Sequence, residues 1–226
     1  MGVLKAGSDR ITNRVLQWIT WADKDYLAAR RLLLGGLLPQ GAGLCNTAIE
    51  KYLKTIILIG GFGHLVGHDV PILYAKLTDN GIDLHLNCEF LGLLTKAYEL
   101  RYPDTLQPGY NIHLSQAKVI TELDHSVHAI RRGFDFDSIT GRKRETWLDT
   151  LVKKGDETLM SYNAVYGGLE REAIFREKTL CYELRVMNDY TIMEAEYHTD
   201  QVKDDGKFNE PALVPGTTPS AHPPMP

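Results

Sequence analysis

The chain has 226 residues, 43% of them hydrophobic and 24% charged, with a formal net charge of −4. That length suits one core with a small appendage and is too short for two enzyme domains of ordinary size. The charge divides into +2 over residues 1–133 and −6 over residues 134–226. This excludes the broad basic footprint of duplex binding, so any nucleic-acid contact has to be a local patch.

The first half reads as five helices. The first spans about Thr12 to Leu34, with Val15, Trp18, Ile19, Ala22, Tyr26, Ala29 and Leu33 on one face at three- and four-residue steps. Gly35 and Gly36 stop it and Pro39 follows. The second spans about Ala42 to Ile59, with an inner stripe of Cys45, Ala48, Ile49, Tyr52, Leu53, Ile56 and Ile57. Glu50 and Lys54 read as a favourable four-residue pair on its outer side. The third opens at Asp69, an N-cap with Pro71 in the first turn, and runs to about Thr78. The fourth spans about Asn87 to Tyr102, with Phe90, Leu94, Ala97 and Arg101 on one stripe, and Pro103 ends it. The fifth follows Asn111 as its cap, with the seam Ile120, Leu123, Val127 and Ile130, and ends at Arg131-Arg132-Gly133.

Beyond Gly133 the pattern changes. Arg142 to Lys154 reads as an amphipathic basic helix around Trp147, and its stripe points to core packing more than to a partner surface. Further helical stretches are expected over Asp156 to Tyr166 and onward to about Lys178. Leu180, Tyr182, Leu184 and Val186 then alternate with polar neighbours. Asn188-Asp189 as a two-residue turn makes this a hairpin in which Thr191, Met193, Ala195 and Tyr197 face that apolar set and Glu183 opposes Glu194. A continuing helix fits Leu180, Leu184 and Met187 as well, and both readings stand. Six of the ten prolines lie between Pro211 and Pro226, which reads as a disordered tail. The fold class is therefore all-α: a bundle over residues 12–133, a C-terminal helical appendage over 142–198 that includes the hairpin alternative, and a tail over 199–226.

No apolar run reaches the ~18 residues that cross a bilayer, and the first residues lack the apolar core of a secretory signal, so no membrane role is expected. Cys45, Cys88 and Cys181 are odd in number and widely spaced, which favours a reducing cytoplasm over a disulfide framework. Cys45 and Cys88 read as core. The glycine-rich stretch Gly60 to His68 follows a helix and lacks a phosphate-loop lysine, so it reads as an interhelical loop. His64 with His68, and His125 with His128, lack a third ligand; no metal and no cofactor are expected.

A stronger signal is an ordered set of segments. AIEKYLKTIIL on the second helix is followed by His68-Asp69 at the start of the third, YELRYPD at the end of the fourth, and a final helix. This order resembles the HEPN domain family over about Trp18 to Arg132. The resemblance implies an up-down antiparallel helical bundle that pairs as a homodimer and binds nucleotide or RNA. It also implies a toxin–antitoxin, defence or stress setting, with a nucleotidyltransferase-like protein among the partners. Lys51, Lys54, His68, Asp69, Arg101, Tyr102 and Asp104 fall on its motif positions and are the implied ligand-binding residues.

Ribonuclease members of the family carry an arginine and a histidine four to six residues apart, in which histidine takes the 2′-hydroxyl proton and arginine holds the developing charge. No arginine here has that spacing; the histidine after Arg101 is His113. The first expectation is therefore a binding module without the standard nuclease motif. The alternative is a divergent metal-independent endoribonuclease using Arg101 and His113. On its apolar stripe Arg101 is expected to be buried and to need a carboxylate, with Asp104, Asp69 and Glu50 as candidates, carbonyls, or a ligand phosphate.

Overall fold

The computed structural model describes residues 9–63, 67–133 and 145–212. In chain order these form α1 (Asp9–Leu34), α2 (Leu38–Gly60), α3 (Val70–Asp79), α4 (Cys88–Glu99), a 3-10 turn (Pro103–Thr105), β1 (Asn111–Ser115), α5 (Gln116–Arg132), α6 (Trp147–Lys154), α7 (Glu157–Met160), α8 (Arg171–Arg176), β2 (Thr179–Val186) and β3 (Ile192–Thr199). The protein is mostly helical with a small antiparallel sheet.

α1 and α2 form the spine. Three residues join them, with Gly36 at a φ of 81°. Pro39 does not merely follow a helix end: it occupies the first turn of α2, where its missing N–H is harmless, so α2 starts four residues before the expected Ala42. Leu33 meets Gly41, Asp25 pairs with Lys51, and the Tyr52 hydroxyl donates to Asp23 at 2.5 Å. Positions rise on one helix as they fall on the other, so the two run antiparallel. A Cβ at Gly41 would stand 2.7 Å from the Leu33 side chain, so glycine permits the close approach beside the turn. α5 runs antiparallel to α1 by the same reasoning: Gln116 donates to the Leu33 carbonyl, Tyr26 donates to Asp124, and Arg131 donates to Asp23.

The all-α expectation is corrected at one segment. Asn111 does not cap the fifth helix. Asn111–Ser115 is a strand, and its alternating Ile112 and Leu114 are buried. It pairs with β2, Ile112 opposite Leu184 and His113 opposite Glu183, so the hairpin becomes a three-stranded sheet of order β1-β2-β3. The hairpin reading of residues 180–198 holds and the continuing helix does not. Its register differs from the expected one. Residues 187–191 form a longer loop, and Val186 pairs with Ile192, so Glu183 faces Ala195 and Glu194 faces Leu184. This one-residue shift moves Met193, Ala195 and Tyr197 to the sheet face of Cys181, Glu183 and Arg185 and removes the expected Glu–Glu opposition.

The expected C-terminal helices are shorter. Thr146 and Asp149 form a reciprocal capping box that starts α6 at Trp147, which is half-buried against the core. Residues 142–144, expected in this helix, lie outside the described residues. Residues 200–212, expected in the tail, are ordered against the bundle. Phe208 is buried against Phe90 with ring centroids 5.2 Å apart, Asn87 holds the Gly206 carbonyl at 2.7 Å, and Lys118 reaches Glu210 at 2.6 Å. These contacts strap residues 205–210 across α4 and α5; residues 213–226 lie outside the description.

The interior contains charge that the helix patterns did not announce. Arg30 and Asp124 are paired with both side chains at 0% exposure. Arg30 also donates to the backbone carbonyls of Thr158 and Ser161, and the Tyr26 hydroxyl donates to Asp124 at 2.7 Å. A second network links Asp23, Tyr52, Arg131, Thr146 and Asp149. Burial pushes the Asp124 carboxyl up to about 6, against the pull of Arg30 and Tyr26. Desolvation is the larger influence on this carboxyl, as expected for a buried ion pair whose attraction has to offset the loss of water. Arg30→Ala strands a buried carboxylate and is expected to cost about 3–5 kcal/mol in urea unfolding, whereas Arg30→Met with Asp124→Leu is expected to be close to neutral. Because the folded value lies above the ordinary 3.8, the Asp124 contribution is fully present below about pH 4 and declines as pH rises to about 6. Asp124→Asn is expected to flatten that stretch of the stability profile.

Candidate functional site

Three backbone events bring the motif residues together. α2 carries Glu50 and Lys51 side by side and Lys54 one turn after Glu50. α3 begins at Asp69, whose carboxylate accepts the Ile72 N–H at 3.1 Å and so fixes His68 just ahead of the helix. α4 ends at Glu99, earlier than the expected Tyr102, because Leu100 caps it and Pro103 opens a 3-10 turn. Arg101 and Tyr102 leave the helix there and stand exposed. Arg101 is therefore not the buried arginine that its apolar stripe suggested.

The Glu50 carboxylate is the hinge of the cluster. Glu50 and Lys54 are both buried, not on an outer surface, and Lys54 Nζ meets Glu50 Oε1 at 2.6 Å. The same carboxylate sits 3.0 and 3.1 Å from His68 Nδ1. Held at that nitrogen, the imidazole turns outward with its side chain 63% exposed. Its ring stacks on Tyr98 with centroids 5.6 Å apart and planes 21° from parallel. The Arg101 guanidinium lies 4.5 Å from the Tyr98 ring centroid and 5.5 Å from that of Tyr102. Tyr98 thus carries both His68 and Arg101. Among the described residues Arg101 makes no ion pair, so none of Asp104, Asp69 or Glu50 neutralises it.

The remaining expected ligand residues have other attachments. Lys51 is paired with Asp25, and Asp69 serves as the α3 cap. Asp104 lies exposed in the Pro103–Thr105 turn. Beside Arg101 runs an apolar groove of about 560 Å³ lined by Leu32, Pro39, Leu44, Ala97 and Leu100. The sequence reading passed over this groove, and over the way Tyr98 joins His68 to Arg101. The YxxRYPD spacing held the second signal: Tyr98 and Arg101 are three apart, one helical turn.

His113 is elsewhere. It sits on β1, not in a first helical turn, with Nδ1 2.9 Å from Glu210 and Nε2 3.8 Å from Glu183. Burial pushes its imidazole pKa down, against the opposing pull of Glu210 and Glu183. It shares no contact with Arg101 within the chain. His125 and His128 are half-buried, not on a solvated face, in a second groove with Asp83, His85, Glu122 and Arg132. Burial pushes both imidazoles down, aided by Arg171 for the first and Arg132 for the second. Among the described residues no group of three His, Cys, Asp or Glu side chains is placed to hold a metal ion. Cys45 is buried and burial pushes its thiol up, which makes it a poor nucleophile, while Cys88 is exposed, contrary to the core expectation. No helix among the described residues is long and apolar enough to cross a membrane.

The family model for the HEPN domain matches residues 15–129, just over half of the chain. That span contains every residue of the Glu50–His68–Tyr98–Arg101 cluster and stops short of β2 and β3. No curated protein and no solved structure matches the chain.

The geometry separates structural charge from available charge. Glu50→Ala leaves Lys54 buried without its partner and is expected to lower unfolding free energy by about 3 kcal/mol. Arg101→Ala, at an exposed position, is expected to stay within about 0.5 kcal/mol of the parent protein. Urea titration followed by circular dichroism checks both.

Proposed function

The chain belongs to the HEPN domain family, and on that premise we propose that it is an RNA-binding module acting as a homodimer. The observation that carries this reading is the exposed Arg101 guanidinium, free of carboxylates among the described residues and bracketed by Tyr98 and Tyr102. An arginine on an aromatic platform takes a phosphate with its donor fork while the exposed Tyr102 ring, 52% exposed, takes a base. A net charge of −4 keeps the number of phosphates engaged small, so a weak salt dependence is expected.

The apolar groove beside Arg101 supports pairing with a second copy. Leu37, 50% exposed in the α1–α2 turn, is two residues before Pro39, which lines this groove. Two copies joined there place their Arg101 residues along one shared crevice. Leu44→Glu, on the groove wall, is expected to halve the mass measured by analytical ultracentrifugation; an unchanged mass, or a monomeric parent protein, refutes the pairing.

Binding is tested by fluorescence anisotropy with a labelled single-stranded RNA octamer, with a mononucleotide as a second arm. Arg101→Ala and Tyr102→Ala are each expected to weaken RNA binding by about tenfold, the scale of one lost stacking or charge-assisted contact. Equal affinity for the parent and both variants contradicts the reading.

A catalytic second reading is favoured by one observation: His68 Nε2 has no partner among the described residues, while Nδ1 is held by Glu50. In that reading the histidine acting with Arg101 is His68, not His113. His68 Nε2 takes the 2′-hydroxyl proton, the 2′-oxygen attacks the adjacent phosphorus to give a 2′,3′-cyclic phosphate, and the P–O5′ bond breaks with the 5′-oxygen taking a proton from solvent water. Incubation with labelled RNA in EDTA tests it. Cleavage lost in His68→Ala and Arg101→Ala but kept in His113→Asn supports the reading; no cleavage by the parent protein removes it.

A further inference from the structure

β3 ends the sheet, and its outer edge is unpaired among the described residues. The strand reads Ile-Met-Glu-Ala-Glu-Tyr-His-Thr, with no proline, no lysine and an unbroken register from Thr179↔Thr199 to Val186↔Ile192. Proteins ordinarily blunt such an edge with a bulge, a proline or an inward charge, because its free N–H and C=O groups template another strand. Within β3 there is no bulge and no proline; the charges it carries are Glu194 and Glu196, on the sheet face of Leu184 and Tyr182. Its hairpin tip also exposes Tyr190, Ile192 and Met193, at 64%, 44% and 48%. Apolar side chains so exposed beside an open edge suit an incoming strand better than they suit water.

The charge on the strand decides what that strand is. Glu194 and Glu196 are both exposed and lie on one sheet face with Ile192 and His198, opposite Leu184 and Tyr182. Glu194 stands close enough to the Tyr182 hydroxyl that, with burial, it pushes the Tyr182 pKa up. A second copy of the chain is a poor occupant. Two-fold antiparallel pairings of β3 with itself centred on residue 194, 195 or 196 set a glutamate against a glutamate, which is repulsive, and the pairing centred on Tyr197, with Glu196 opposite His198, engages residues 195–199 alone. A strand with lysine or arginine at alternate positions meets the two carboxylates on one face instead and sets its apolar residues beside Met193, Ala195 and Tyr197 on the other.

We propose that the β3 edge is the docking site for an extended basic segment of a partner protein, which adds to the sheet as a fourth strand. Backbone hydrogen bonds along β3 supply the affinity, and Glu194 and Glu196 select the charge. This surface is independent of the Arg101 cluster and lies outside the span shared with the HEPN family.

The test uses the full chain and three fluorescein-labelled octapeptides: alternating Val and Lys, alternating Val and Glu, and the Val-Lys peptide with two central prolines. Anisotropy gives affinity, and amide hydrogen exchange locates it. The lysine peptide is expected to bind about tenfold more tightly than the glutamate peptide. It is also expected to slow exchange over residues 192–199 and to lose both effects with the prolines. Glu194→Lys with Glu196→Lys is expected to reverse the order of the two charged peptides. The proposal is overturned if neither peptide slows exchange in β3 of the parent protein, a result that needs no variant to fold. It is equally overturned if the doubly reversed variant keeps the parent preference. RNA binding at Arg101 is expected to be the same with and without peptide.

Discussion

Two charged side chains on the inner face of α1 constrain the rest of the structure. Asp23 and Arg30 point into the core, and a buried charge without partners is among the most destabilising features a fold can carry. Their partners come from far along the chain: Asp124 and Arg131 on α5, then Thr146, Asp149, and the carbonyls of Thr158 and Ser161. The region after residue 145 is thereby tied to the bundle by charge. It supplies acceptors that α1, α2 and α5 do not, and residues 145–163 would leave Arg30 short of acceptors if removed. Burial of these groups also fixes the lateral register of α1 against α5, because only one setting brings Asp23 to Arg131 and Arg30 to Asp124 together.

That register positions the surface cluster. With α1 fixed, Tyr52 reaches Asp23 and Lys51 reaches Asp25, which sets the rotation of α2 and turns Glu50 and Lys54 toward the start of α3. Glu50 then holds His68 from below, and Tyr98 supports it from the side. The helix break before Pro103 frees Arg101 to lie over the same tyrosine. The molecule therefore uses charge in two ways. Inside, the forks of Arg30 and Arg131 are held by protein oxygens. At the end of α4, Arg101 lies against aromatic faces and makes no ion pair among the described residues.

Much of this was readable from residues. The helical stripes located the five main helices of the first half, the His68-Asp69 step marked the α3 cap, and the order of EKYLK, HD and RYPD pointed to the family. What escaped has physical causes. Asn111–Ser115 is too short to show strand alternation on its own and adjoins a real helical seam, so its pairing with β2 decides its state. One additional residue in the hairpin loop reverses which face every β3 side chain occupies, and residues 187–191 carry no signal as plain as an Asn-Gly pair. Residues 205–210 look too polar to fold, yet one aromatic, Phe208, and the reach of Lys118 dock them. Arg30 was the most readable of the missed features, since it lies four residues after Tyr26 and seven after Asp23 along the apolar stripe of α1. Exposure of Arg101 was not readable, because the stripe on α4 continues through it and only the early end of the helix releases it.

The central claim is that Arg101, supported by Tyr98 and flanked by Tyr102 and His68, is where this protein meets RNA. The most direct measurement is a proton–nitrogen NMR titration of the full chain with an unlabelled single-stranded RNA octamer. It follows the Arg101 side-chain Nε–Hε, the His68 ring and the backbone amides. The account predicts saturable shifts at Arg101, Tyr102, Tyr98 and His68, with His113 and the His125–His128 groove unmoved. Shifts confined to either of those latter places, with Arg101 unaffected at saturation, would contradict it.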